Sequence, residues 1–188
     1  QLIDQCLFGD ARERLQELPY GAAQTCITSP PYFGLRDYGH ADQIGLEDQP
    51  RKYVQRLVEV FRKVHRVLRD DGTLWLNLGD SYATGGRGGG GSFMDERRDG
   101  AWQGRSSVTG WRNAPDGLKH KDLVGIPWRV AFALQEDGWY LRQDIIWSKP
   151  NPMPESVMDR CTKSHEYLFL LSKSPSYYYD KDAIAEPS

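Results

Sequence analysis

Cysteine is scarce: Cys6, Cys26 and Cys161 are odd in number and form no Cys-x-x-Cys pair. That argues against a disulfide framework and for a reducing compartment, with free and mostly buried thiols expected. The histidines, His40, His65, His120 and His165, are scattered and lack the close His/Cys spacing of a metal centre, so no metal is expected. Long hydrophobic runs are wanting too. The longest, Tyr167 to Leu171, falls far short of the roughly 18 to 20 residues of a membrane helix. No basic-then-apolar leader opens the chain, so a soluble protein without a membrane partner is expected. Charge bias is also absent: the formal net charge is −2, and any basic surface must be local.

What is present suffices for a core. The 188 residues are 39% hydrophobic and 12% aromatic, enough for one domain over residues 1–188 and too little length for two. Ala11, Leu15 and Leu18 sit at helical spacing before the breaker Pro19-Tyr20-Gly21, and Thr25 to Thr28 is β-prone. From Pro50 to Leu68 the residues Val54, Leu57, Val58, Phe61, Val64 and Leu68 recur at three- and four-residue steps. They predict an amphipathic helix closed by Asp70-Asp71-Gly72. Thr73 to Leu78 reads as a strand ending at Gly79-Asp80. Leu123 to Leu134 reads as a helix with Pro127 in its first turn, and Tyr140 to Trp147 and Glu166 to Leu171 as further strands. Strands separated by helices predict an α/β fold with a mostly parallel sheet, whose ligands sit beyond the carboxyl ends of the strands.

Between residues 84 and 121 lie ten of the 19 glycines, with seven Lys or Arg against four Asp or Glu. A long glycine-rich segment inside a domain is either functional or unstructured. Here it reads as a basic insertion carrying Trp102 and Trp111 as candidate stacking side chains. Its glycine run is not a phosphate loop, because no apolar strand leads into it and no Gly-Lys-Ser/Thr follows.

The segment that carries chemistry is Thr28-Ser29-Pro30-Pro31-Tyr32-Phe33-Gly34, directly after a predicted strand. By itself it could be only a rigid turn. Two prolines fix φ and donate no N–H, so the Ser29 and Pro30 carbonyls become acceptors on a stiff backbone beside the Tyr32 ring. Acceptors plus a ring suit a planar amine. The exocyclic nitrogen of cytosine or adenine is a poor nucleophile because its lone pair is conjugated into the base, and acceptors aimed at its N–H bonds favour the pyramidal, reactive form. Stacking on Tyr32, and on Phe33, would hold a base swung out of the duplex.

At these residues the sequence resembles the amino-methylating DNA methyltransferases, which transfer a methyl group from S-adenosylmethionine to cytosine N4 or adenine N6. Gly9-Asp10 with the following helix, Gly72 to Tyr82, Ile126-Pro127-Trp128, Ile145 to Pro152 and Lys163-Ser164-His165-Glu166 are similar to family blocks in the permuted order that puts the catalytic loop first. The resemblance implies a Rossmann-like S-adenosylmethionine-dependent fold, double-stranded DNA as partner and a cytoplasmic or nucleoid-associated location. It implies a catalytic loop of Ser29, Pro30, Pro31 and Tyr32, in which Ser29 and Pro30 accept from the target amine. It places Trp147 and Lys149 in the block that holds the extruded base, against core packing and a solvated charge as alternatives. It gives Asp10 a cofactor contact or a helix cap, and Asp80 a place lining the cofactor pocket or capping a turn. Ser29 at the first loop position leans toward cytosine N4. A C5-cytosine mechanism is disfavoured, since it needs a thiolate, generally after proline, and the three cysteines follow Gln5, Thr25 and Arg160.

One family feature has no counterpart: nothing between Glu166 and Ser188 resembles the Phe-x-Gly-x-Gly cofactor loop. With Gln1 rather than Met at the start, this predicts an incomplete fold. Three alternatives stand: a truncated chain, a second polypeptide supplying the other half, or a non-catalytic nucleic-acid-binding or regulatory subunit.

Overall fold

The computed structural model describes residues 4–40, 42–83 and 117–185. Along them run α1 (Ala11–Glu17), β1 (Ala23–Thr28), α2 (Pro50–Val67), β2 (Leu68–Leu78), α3 (Ile126–Glu136), β3 (Tyr140–Ser148) and β4 (His165–Ser172). The proline-tolerant first turn appears twice, with Pro50 opening α2 and Pro127 opening α3. The apolar stripe of α2 is buried as its spacing predicts: Leu57, Phe61 and Val64 join one core cluster with Leu74, Leu76 and Leu78 of β2, Val130, Ala131 and Leu134 of α3, and Phe169 and Leu171 of β4.

The sheet order is β1-β2-β4-β3. β1 and β2 pair in parallel, whereas β4 pairs antiparallel with both β2 and β3. The α/β expectation holds, but the expected mostly parallel sheet is corrected to a mixed one. Parallel neighbours need a crossover long enough to carry the chain back, usually a helix; the segment 149–164 between β3 and β4 contains none, so β4 returns against β3. β1, β2 and β3 nevertheless point the same way, with β4 inserted between the last two.

Two further expectations change in detail. Asp70-Asp71-Gly72 does not separate helix from strand, because β2 begins at Leu68. The register instead jumps from Ala23↔Leu68 to Thr25↔Thr73, so the surplus residues bulge out of the ladder. A Cβ at Gly72 would lie 2.8 Å from the Arg69 carbonyl oxygen and 3.1 Å from that of Gln24, which reserves the position for glycine. The thiols are free, but Cys6 and Cys161 are exposed and Cys26 is half-buried. Cys6 lies in irregular chain ahead of α1 and Cys161 in the loop before β4, so neither has an element to cover it. Among the described residues no helix is long and apolar enough to cross a membrane.

Candidate active site

Because β1, β2 and β3 run in one direction, their carboxyl ends Thr28, Leu78 and Ser148 finish at one edge of the sheet. β4, running the other way, starts there with His165. The segments 29–34, 79–82 and 149–164 are therefore gathered at that edge, the position expected for ligands.

The Pro-Pro loop is fixed from beneath. The hydroxyl of Tyr53, a side chain with 0% exposure, donates to the Pro31 carbonyl at 2.8 Å. Burial, then the nearby charge of Glu47, push the Tyr53 phenol well above its ordinary range, so it remains a donor. The Gly34 N–H donates to the Gly45 carbonyl at 2.7 Å and closes the loop. Phe33 turns inward, 3% exposed, with its ring 5.4 Å from that of Tyr53. The base-stacking role expected of Phe33 is corrected to that of a core anchor. Ser29 is exposed at the rim, and Pro30, Pro31 and Tyr32 are half-buried.

The polar side chains of this edge converge on Asn77. Its Oδ1 accepts from the Ser29 hydroxyl at 3.0 Å and from the Tyr32 hydroxyl at 2.7 Å. Its Nδ2 donates to the Tyr167 carbonyl at 3.2 Å, which sets the amide's orientation. The Tyr32 oxygen also lies 3.0 Å from Glu166 Oε2, and Glu166 Oε1 is paired with the Lys149 ammonium. Burial and then the Glu166 charge push the Tyr32 phenol far up. For Glu166 itself, burial pulls upward, but the hydrogen bonds from Lys149 and Tyr32 outweigh it and hold the carboxyl below its ordinary value. Gly79 gives the Tyr32 ring its room: a Cβ there would lie 2.6 Å from Cε2.

Beside this network opens a cavity of about 600 Å³ lined by Ser29, Asn77, Trp147, Glu166, Trp75 and Leu168 among others. Trp147 is 58% exposed, so its indole faces the cavity and solvent, not the core. The structure thus brings together Ser29, Tyr32, Trp147 and Lys149. Lys149 remains partly exposed, and its ammonium is paired with Glu166.

Asp10 and Asp80 are placed otherwise. Asp10 caps α1, its Oδ1 accepting from the Arg12 N–H at 2.7 Å, while its carboxylate also pairs with the Arg12 guanidinium. The hydrogen bond from the Arg12 guanidinium, more than the backbone one, keeps its pKa below the ordinary carboxylate value. Asp80 Oδ1 accepts from the N–H groups of Ser81 and Ile126, each at 2.9 Å, and so ties the β2 end to the first turn of α3. Both make the capping contacts. Two residues went unrecognised in the sequence, Asn77 and Glu166. Asn77 had a signal, as the lone polar residue between Leu76 and Leu78, and Glu166 closes the Lys163 to Glu166 block that resembles the family. Trp102, Trp111 and most of the 84–121 insertion lie outside the described residues.

Known proteins resemble this chain in sequence and in fold. The sequence profile of the N6/N4 family described as DNA methylase matches residues 23–188. The Type II methyltransferase M.SmaI of Serratia marcescens is 56% identical over 182 residues, 97% of this chain and 60% of the relative. The Type II methyltransferase M.Cfr9I of Citrobacter freundii is 54% identical over 178 residues, 95% of this chain and 57% of the relative. The chain therefore spans somewhat under two thirds of these relatives. Among solved structures, the PvuII DNA methyltransferase (cytosine-N4-specific) superposes with a TM-score of 0.62 at 18% identity, covering 94% of this chain and 51% of that one. A Thermus thermophilus protein described as a DNA modification methylase, complexed with S-adenosyl-L-methionine, gives 0.58 at 21% identity, covering 93% and 55%. These likenesses show a methyltransferase fold, and on the profile and the two Type II relatives the chain belongs to the N6/N4 DNA methylase family.

Proposed function

We propose that the protein is a DNA methyltransferase that uses S-adenosylmethionine to methylate the exocyclic amine of a base extruded from double-stranded DNA. Cytosine N4 is favoured over adenine N6 because Ser29, not an aspartate, opens the loop. One observation carries the reading. The Ser29 to Tyr32 loop stands at the carboxyl edge of β1, held from below by Tyr53, beside a cavity that Trp147 lines.

The cofactor supplies an electrophilic methyl group on a sulfonium. Asp10 and Asp80 stand at helix starts, and in this proposal a further segment or a second polypeptide completes the cofactor's site. The chain's own residues handle the base. Trp147 and the Tyr32 ring offer aromatic surface to the extruded base, and the Ser29 and Pro30 oxygens accept hydrogen bonds from its amine N–H groups, localising the nitrogen lone pair for attack. Rigidity matters, because acceptors that need not reorganise stabilise the developing charge most.

Mass spectrometry of nucleosides from cells expressing the gene tests this, with N4-methylcytosine as the expected product. N6-methyladenine instead would reassign the target amine. Neither product, together with no calorimetric binding of S-adenosylmethionine, would leave a non-catalytic DNA-binding subunit as the reading.

A further inference from the structure

The cavity edge contains a half-buried carboxylate that the proposed chemistry leaves without a task. Glu166 is the second residue of β4 and faces Trp147 across the β3–β4 ladder. Its side chain, 21% exposed, spends one oxygen on Lys149 and brings the other to 3.0 Å from the Tyr32 hydroxyl. A half-buried carboxylate loses hydration that its partners must replace, so Lys149 makes the charge tolerable and the Tyr32 hydroxyl is directed at the remaining oxygen. Asn77 Oδ1 meets the same hydroxyl from the β2 side, so the phenol's single proton is shared between two acceptors. The phenol is thus gripped at its far end by two strands, while Gly79 lets the ring edge lie on the backbone.

We propose that Glu166, braced by Lys149, is a positioning residue that with Asn77 clamps the Tyr32 hydroxyl and fixes the plane on which the extruded base stacks. The proposal rests on the methyltransferase reading above. A ring free to pivot about its χ angles would present the base amine to Ser29 and Pro30 in many orientations, and misplacement by an ångström is enough to lose most of a rate. Four elements hold the clamp's parts in register: the loop after β1, β2 itself, the start of β4 and the residue following β3.

Two measurements test it. In the 188-residue chain carrying 3-fluorotyrosine, whose phenol is more acidic than that of tyrosine, the fluorine resonance that Tyr32→Phe removes should titrate above those of the exposed tyrosines. Glu166→Gln, which removes the charge and keeps an acceptor oxygen, should bring that titration down by about one unit. An unchanged titration overturns the clamp. In the protein as its gene encodes it, Tyr32→Phe and Glu166→Ala should each lower kcat about tenfold, the equivalent of losing one charge-assisted hydrogen bond, with KM for S-adenosylmethionine unchanged. Glu166→Gln should recover most of the rate, and Tyr32→Phe/Glu166→Ala should be no slower than the worse single variant. Multiplying losses, or a wild-type rate in Glu166→Ala, overturn the positioning role. Should Glu166→Ala fail to fold, Tyr32→Phe and Glu166→Gln carry the same comparison, with a multiplied loss again decisive against it. If the wild-type protein yields no methylated nucleoside while the fluorine titration behaves as expected, the functional reading fails and the positioning role with it, but the clamp stands.

Discussion

Replacing Gly79 by alanine asks whether the Tyr32 ring really lies on the backbone of the loop after β2. Gly79 is outside the left-handed region, so an alanine there carries no backbone strain. Taken alone, the change should stabilise by about 0.4–1 kcal/mol through the unfolded chain's reduced freedom. The contact reverses the sign. The new Cβ would lie 2.6 Å from Cε2 and 2.8 Å from Cδ2 of Tyr32, closer than such atoms approach, and the ring cannot slide far without leaving Asn77 and Glu166. Forced overpacking costs about 1–3 kcal/mol, and release of the hydroxyl from a charged acceptor about 1.5–3 kcal/mol. These are alternative ways of relieving one clash and do not add, so the net destabilisation should be about 1–2 kcal/mol. For a chain of this size that lowers Tm by roughly 3–6 °C. Calorimetry on Gly79→Ala, Tyr32→Ala and the double variant closes a cycle: with the ring gone, the alanine should cost nothing or stabilise. A Gly79→Ala protein as stable as wild type, or more so, with Tyr32 in place would refute the close approach and the geometry built on it.

Tyr53→Phe leaves the Pro31 carbonyl without its inward donor and should cost about 1–2 kcal/mol in urea titrations; no loss would mean the loop is not held from beneath. Asp80→Ala removes the acceptor shared by Ser81 and Ile126 and should cost about 1–2 kcal/mol, with Asp80→Asn recovering part. Unaltered stability with weakened S-adenosylmethionine binding would instead make Asp80 a cofactor residue. Glu166 gives a sign for acid. Its folded pKa is below its unfolded one, so its contribution is complete above the unfolded value near 4.5 and drains away as pH falls through the folded value. Wild type should therefore lose its stability margin over Glu166→Gln as pH drops below about 4.5, and parallel stability–pH curves for the two proteins would contradict the pairing.

How much of this was legible in the sequence depended on whether the signal was local. The stripe of α2, the prolines opening α2 and α3, and the strand ahead of Ser29 follow from spacing within single segments, and the structure reproduces them to within a few residues. The burial of Phe33 is not legible in the sequence, because burial is not a property of a loop residue's identity; it is decided by Tyr53, on the helix that packs beneath. The direction of β4 is not legible in its own residues, and the site depends on it. In a sheet of parallel strands, only the residues following each strand reach the ligand edge. An antiparallel strand inserted among them brings its own first residues there instead. That inversion carries Glu166 to Tyr32 across 134 positions of sequence. It also places Glu166 within reach of Lys149, which leaves β3 at the same edge. Neither residue's role can be assigned from its neighbours in the chain. Both follow once β4 is known to run against β2 and β3.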